Sequence, residues 1–246
     1  MSERIKGVIF DLGDTLLDFG KVDVTALFEA GGRLTYGYME DHGFAMPPFG
    51  VYYRRQLRAI RWSYFKSRVT RREFNSMDLI GRLAMKMGHE LSPDQKGELA
   101  WLWYEPLSRC AKVEPGLADL LRRLHADKLV VGVVSNTFVP GANLDRHLAA
   151  EGLLDLLPIR IYSCDVGYRK PNPKIFRLAL ERCGLAAGQT LFVGDSIKAD
   201  IGGANKAGLI SVLKDPSGRF ARNRIKPVHR ISTLAELPGV VAQYNG

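Results

Sequence analysis

Cysteine is scarce. Cys110, Cys164 and Cys183 are the only three in 246 residues, odd in number and without C-x-x-C spacing. That argues against a disulfide framework and a thiolate zinc site, and fits three reduced thiols in a cytoplasmic protein. Long apolar runs are also missing. None reaches the roughly 18 residues that cross a bilayer, so no membrane partner is expected. The opening "MSERIKGVIFDLGD" has no apolar segment followed by a small-residue cleavage site, so export is not expected. No internal repeat and no low-complexity segment interrupts the chain.

Acidic residues are in short supply as well: 26 Asp and Glu face 35 Lys and Arg, a net charge of +9. The excess is local. Residues 51–73, "VYYRRQLRAIRWSYFKSRVTRRE", hold eight Arg or Lys against one Glu, and a second basic run covers 219–230. Basic surfaces attract phosphates and nucleic acids. No nucleic-acid-binding motif accompanies these runs, so a solvated helix face is the expectation and nucleic acid is not an expected partner.

What is present is a series of short, continuously apolar runs: 4–10, 129–134, 159–162, 190–194 and 209–213. Runs apolar at every position, not at alternate ones, predict strands of a parallel sheet covered on both faces. Helical patterns separate the later ones: 115–128; 171–184, closing on Gly184; and 197–208, closing on Gly208. The alternation predicts an α/β fold with a doubly wound, Rossmann-like parallel sheet. The first two strands lie about 115 residues apart, too far for one crossover helix. Helical patterns near 22–42, 50–68, 70–88 and 92–109 fill the gap, the last with Ser92 as N-cap and Pro93 behind it. These predict an α-helical insertion at the carboxyl ends of the strands, where such sheets bind ligands. The expected division is a core of 1–18 and 110–246 and a helical cap of 19–109.

Polar residues gather at the predicted strand ends. The first strand ends on Asp11, the second on Ser135 and Asn136. Lys170 follows the third, and "GDSIKAD" puts Asp195 and Asp200 after the fourth. Carboxylates brought this close raise one another's pKa, and a divalent cation removes the conflict. Oxygen ligands suit Mg²⁺. A lysine and a hydroxyl beside them can bind phosphoryl oxygens, and a carboxylate in line with the leaving group can act as nucleophile.

The set DLGDT, SN, K-P-N-P and GDSIKAD, in this order and context, resembles the haloacid dehalogenase (HAD) superfamily, with the insertion similar to its C1 cap. The resemblance spans nearly the whole chain. It implies a hydrolase, phosphatase-like, acting on a small phosphorylated metabolite with Mg²⁺. Asp11 would be the covalent nucleophile. The metal ligands would be Asp11, the backbone carbonyl of Gly13, Asp195 and Asp200. Ser135 and Lys170 would bind the phosphoryl group, with Thr15 and Asn136 completing and orienting the substrate site.

Residue 13 departs from the pattern. Phosphatases of the superfamily usually carry an Asp there that protonates the leaving group and then activates water. Gly13 keeps the carbonyl and loses the acid. Three readings stay open: a phosphatase that is slow or suited to good leaving groups; C–halogen hydrolysis on the same nucleophile, which needs no acid; or a catalytically weak phosphate-binding or protein-interaction module. Asp14 is expected to fix the loop by accepting backbone N–H groups instead of replacing the missing acid. In the cap, Tyr53, Leu57, Ile60 and Tyr64 recur at helical spacing and are expected to pack inside the helical bundle.

Overall fold

The computed structural model describes residues 4–220 and 222–246. The chain order is β1 (Gly7–Phe10), β2 (Leu17–Asp18), α1 (Val24–Asp41), α2 (Phe49–Thr70), α3 (Ser76–Met85), α4 (Pro93–Ser108), β3 (Lys112–Val113), α5 (Leu117–Ala126), β4 (Val130–Ser135) and α6 (Gly141–Ala150). It continues with β5 (Ile159–Tyr162), α7 (Ser163–Val166), α8 (Pro173–Cys183), β6 (Thr190–Gly194), α9 (Gly202–Ala207), β7 (Ile210–Lys214), β8 (His229–Ile231) and α10 (Leu237–Asn245).

Six strands form one sheet in the order β5-β4-β1-β6-β7-β8, each pairing parallel to its neighbour. Side chains of a strand point alternately to its two faces. Val8 and Phe10 enter one apolar layer with Val131, Val133, Leu191 and Val193, while Ile9 enters the other with Val134, Phe192 and Phe176. Both faces are therefore covered, which is why the strands read as unbroken apolar runs.

Helices α1 to α4 lie between β2 and β3, a short antiparallel ribbon pairing Leu17 with Val113. The ribbon brings the entry and exit of the helical segment side by side. Within it, α1 packs closely on α4 because Gly31 has no side chain: a Cβ there would sit 2.8 Å from the Trp103 carbonyl oxygen. Ser92 and Gln95 cap α4 reciprocally, with Pro93 at its first position.

Three features depart from the sequence reading. The third insertion helix begins at Ser76, not residue 70, because residues 72 and 73 run alongside the loop before Lys170. Arg72 bridges Tyr168, and the Glu73 N–H donates to the Gly167 carbonyl at 3.2 Å. The helix expected over 197–208 starts as a wide π-type turn, Ile197–Ile201, before α9. The face of α2 expected to pack is also shifted. Tyr52, Gln56 and Ser67 are its buried residues, whereas Ile60 is half-buried, Tyr64 is 41% exposed, and both line a cleft. Tyr53 does pack, stacking on Phe49 and Trp103. Polar Gln56 and Ser67 take the interior places, so apolar periodicity alone misplaces the face.

Candidate active site

Between the helical segment and the carboxyl edge of the sheet lies a cleft of about 870 Å³. Parallel pairing aligns β1, β4 and β6, so the residues that follow each strand arrive at the same edge. Asp11, Ser135, Asn136, Lys170, Asp195 and Asp200 all line the cleft.

Lys170 is the hub. It is 2% exposed, and its Nζ donates to Asp11 Oδ1 at 2.5 Å and to the Val134 carbonyl at 2.7 Å. It also lies 2.8 Å from Asp200 Oδ1, outside hydrogen-bonding alignment, which leaves that buried oxygen without a directed donor. Burial disfavours the ammonium, but Asp11 and Asp200 outweigh it and hold its pKa above the usual lysine range. Asn136 fixes the backbone of Lys170 from both sides. Its Oδ1 accepts the Lys170 N–H at 2.7 Å, and its Nδ2 donates to the Lys170 carbonyl at 2.9 Å. Thr15 is fully buried and donates to Asp11 Oδ2 at 3.3 Å. Of the two residues expected to complete and orient the substrate site, Asn136 engages Lys170 through its amide and Thr15 engages Asp11 through its hydroxyl. Ser135 ends β4, buried, at the cleft wall.

Asp14 takes a left-handed backbone (φ 58°), and its Oδ1 accepts the Phe19 N–H at 3.3 Å. It thus braces the turn after β1, as its residue type leads one to expect. Gly13 faces open space, where a Cβ would meet only Phe19 Cε2, at 3.6 Å.

Asp11, Asp195 and Asp200 each offer a carboxylate oxygen within 4.8 Å of the others. Burial, then repulsion from Asp11, Asp200 and Asp14, pushes the Asp195 carboxyl up to about 7. Burial likewise raises Asp200, to about 6, with Lys170 offsetting only part of it. Three crowded carboxylates, whose charge Lys170 offsets only in part, form a set of hard oxygen donors that fits a divalent cation. The cation-free protein bears the cost of this crowding. The pKa of Asp195 is higher folded than unfolded, so the folded state binds the extra proton between pH 4 and 7. Stability from this group therefore falls as pH rises through that window. Asp195→Asn removes the charge. Melting scans without divalent cations should show Asp195→Asn more stable than the parent near pH 8, by a margin that has narrowed at pH 5 and closes below pH 4. Equal melting temperatures at pH 8 and pH 5 would disprove the crowding.

Sequence reasoning missed a buried cluster beside Lys170. Glu73 accepts from Ser67 Oγ at 2.6 Å and Ser163 Oγ at 3.1 Å, and Arg169 lies 3.5 Å away while donating to Ser67 Oγ at 2.7 Å. With the stacked rings of Phe74 and Phe138, it fastens the α2–α3 connection to the loops after β4 and β5. Arg219, in the second basic run, also went unnoticed; it reaches Asp195 Oδ2 at 3.4 Å. The one available signal was the position of Arg169 immediately before Lys170.

The haloacid dehalogenase-like hydrolase pattern matches residues 5–208. A ribulose-1,5-bisphosphate 5-phosphatase of Halopiger xanaduensis is 28% identical over 96% of this chain and 98% of its own. Among solved structures, a 2-haloacid dehalogenase of Pseudomonas syringae superposes with a TM-score of 0.65 at 24% identity, covering 98% of this chain and 99% of that one. The HAD-type protein YfnB of Bacillus subtilis, solved with magnesium, gives 0.61 at 23% identity, covering 97% and 99%. The two structures share the fold with this chain.

Proposed function

Since the chain belongs to the haloacid dehalogenase-like hydrolases, we propose that it is a Mg²⁺-dependent phosphatase of small phosphomonoesters, working through an aspartyl-phosphate on Asp11. In this reading residues 1–18 and 110–246 are the catalytic core and 19–109 the cap. The observation that supports it best is the cluster of Asp11, Asp195 and Asp200 around Lys170. Displacement of halide from carbon asks for no cation and no such concentration of carboxylates.

Asp11, the carbonyl of Gly13, Asp195 and Asp200 would hold the Mg²⁺, which when bound supplies positive charge against the phosphoryl oxygens. The remaining work falls to the chain. Lys170 orients Asp11 through the bond to Oδ1, and with Ser135 it binds the phosphoryl group. Asp11 Oδ attacks phosphorus, the P–O bond to the leaving group breaks, and water then cleaves the acyl phosphate to release phosphate and restore the carboxylate. Thr15 and Asn136 act one step back, the first on Asp11, the second on Lys170. No side chain at residue 13 is available to pass a proton to the leaving oxygen.

The test is phosphate release from a panel of phosphate esters and acyl phosphates, with Mg²⁺ and with chelator. Turnover should require the cation, and Mg²⁺ should raise the melting temperature of the parent more than that of Asp195→Asn. Ligand binding without turnover on any panel member would instead favour a phosphate-binding module. Halide release from haloacids under chelator would replace both readings.

A further inference from the structure

We infer that the cleft recognises two anionic groups on one substrate: the phosphoryl group at Asp11 and Lys170, and a carboxylate or second phosphate at Arg68 and Arg71. The inference deepens the phosphate-ester reading of the same site and rests on it.

The cleft cations sort into paired and unpaired. Lys170 is held by Asp11 and Asp200, Arg169 by Glu73, and Arg219 by Asp195. Lys198, on the turn between Asp195 and Asp200, lines the cleft beside the phosphoryl site and, among the described residues, has no ion pair. Arg68 and Arg71, at the end of α2, line the same cleft, and among the described residues neither has a carboxylate within ion-pair distance. Their placement is specific. The Tyr64 ring lies 5.9 Å from the Arg68 guanidinium and 5.5 Å from that of Arg169, so the buried Arg169 cluster also fixes Arg68. Arg71 takes a left-handed backbone, φ 56°, which glycine adopts freely and arginine only at a cost. It is kept there where its carbonyl accepts the Arg169 N–H at 3.4 Å and the next residue bridges Tyr168. That conformation closes α2 as its C-cap, and two guanidinium groups that line a cleft without a carboxylate partner among the described residues point to an anionic ligand. Ile60, Phe74 and Phe138 line the cleft as well and offer no polar partner to the carbon body of a substrate. Guanidinium binds carboxylate and phosphate alike, through paired N–H donors.

Matched substrates test this. Phosphate esters of equal length, ending in a carboxylate, a phosphate or a neutral hydroxyl, are compared in kcat/KM for the parent, Arg68→Gln, Arg71→Gly and Arg71→Lys. Arg71→Gly suits the left-handed backbone, so a lower affinity there does not arise from misfolding. The parent should favour the anionic-ended esters about tenfold to a hundredfold, the range of a charge-assisted hydrogen bond, with the preference in KM. Arg68→Gln and Arg71→Gly should erase the preference, and Arg71→Lys should restore part of it. Whether carboxylate or phosphate gives the larger ratio identifies the second group. A parallel measurement needs no turnover: calorimetric affinities of phosphonocarboxylates against alkyl phosphonates of the same length. Equal affinities, or a preference that survives both substitutions, would overturn the inference. If no ester turns over but the phosphonocarboxylate preference is present and arginine-dependent, the hydrolytic reading fails while the two-anion cleft stands.

Discussion

Asp11→Asn lowers phosphate release by at least about 10⁴-fold, the loss expected when a covalent nucleophile becomes an inert amide. The substitution keeps shape and volume. The amide oxygen can keep the Lys170 contact now made by Oδ1, the amide NH₂ can donate to the Thr15 hydroxyl in place of Oδ2, and Lys170 still faces Asp200 and the Val134 carbonyl. Folding is therefore preserved, and the loss belongs to the chemistry. Two measurements separate this from a weakened site. The affinity for inorganic phosphate should change far less than kcat. Acid quenching during turnover should trap labelled phosphate on the parent protein and none on Asp11→Asn. Residual activity within about tenfold of the parent would rule out Asp11 as nucleophile.

Gly13→Asp is expected to work in the opposite direction. The backbone at Gly13 is not left-handed, and a new Cβ meets only Phe19 Cε2, at 3.6 Å, an ordinary contact. The residue lies at the cleft, two positions from the nucleophile. An aspartate there can protonate a departing alkoxide and then take a proton from water. General acid–base catalysis contributes about 10²–10⁴ when the group is well placed, and an introduced group should reach the lower part of that range. The gain should appear with alkyl phosphates and be near absent with acyl phosphates, whose leaving groups need no proton. It also adds a carboxylate to a crowded site, so the cation-free variant should melt lower near pH 8. An unchanged or reduced rate on alkyl phosphates would show that the missing acid does not limit this protein.

Much of the core was legible because two-sided burial leaves a strong mark. Val8 to Phe10, Val131 to Val134 and Leu191 to Val193 have nowhere polar to face, and the residue after each strand is left at the sheet edge. Hence Asp11, Ser135 and Asp195 could be placed by counting to the end of a run. Lys170 needed the motif, because it follows a loop instead of ending a strand. Short or weakly marked elements were not legible. β8 has three residues within a basic stretch, and α6 opens on Pro140 and Gly141 with no capping side chain. The inward face of α2 was misread because its interior accepts Gln56 and Ser67, the latter bound to Glu73 and Arg169, partners that no local period reveals. Arg71 carried no local signal either. Its left-handed turn caps α2 without glycine or asparagine, and its carbonyl meets a loop almost a hundred residues later.

The parallel sheet that assembles the site also sets when it can exist. In synthesis Asp11 precedes its ammonium partner, which comes with residue 170, and its fellow carboxylates, which come with 195 and 200. β1 lies between β4 and β6, so the first strand made has both its neighbours still to come. A nascent chain therefore carries the Asp11 carboxylate without its centre until Asp200, far along the chain, has followed it. Pairings this distant close slowly. On the phosphatase proposal, hydrolysis would serve as a clock for the last stage of folding: it should switch on with docking of β6 and lag behind the appearance of helix.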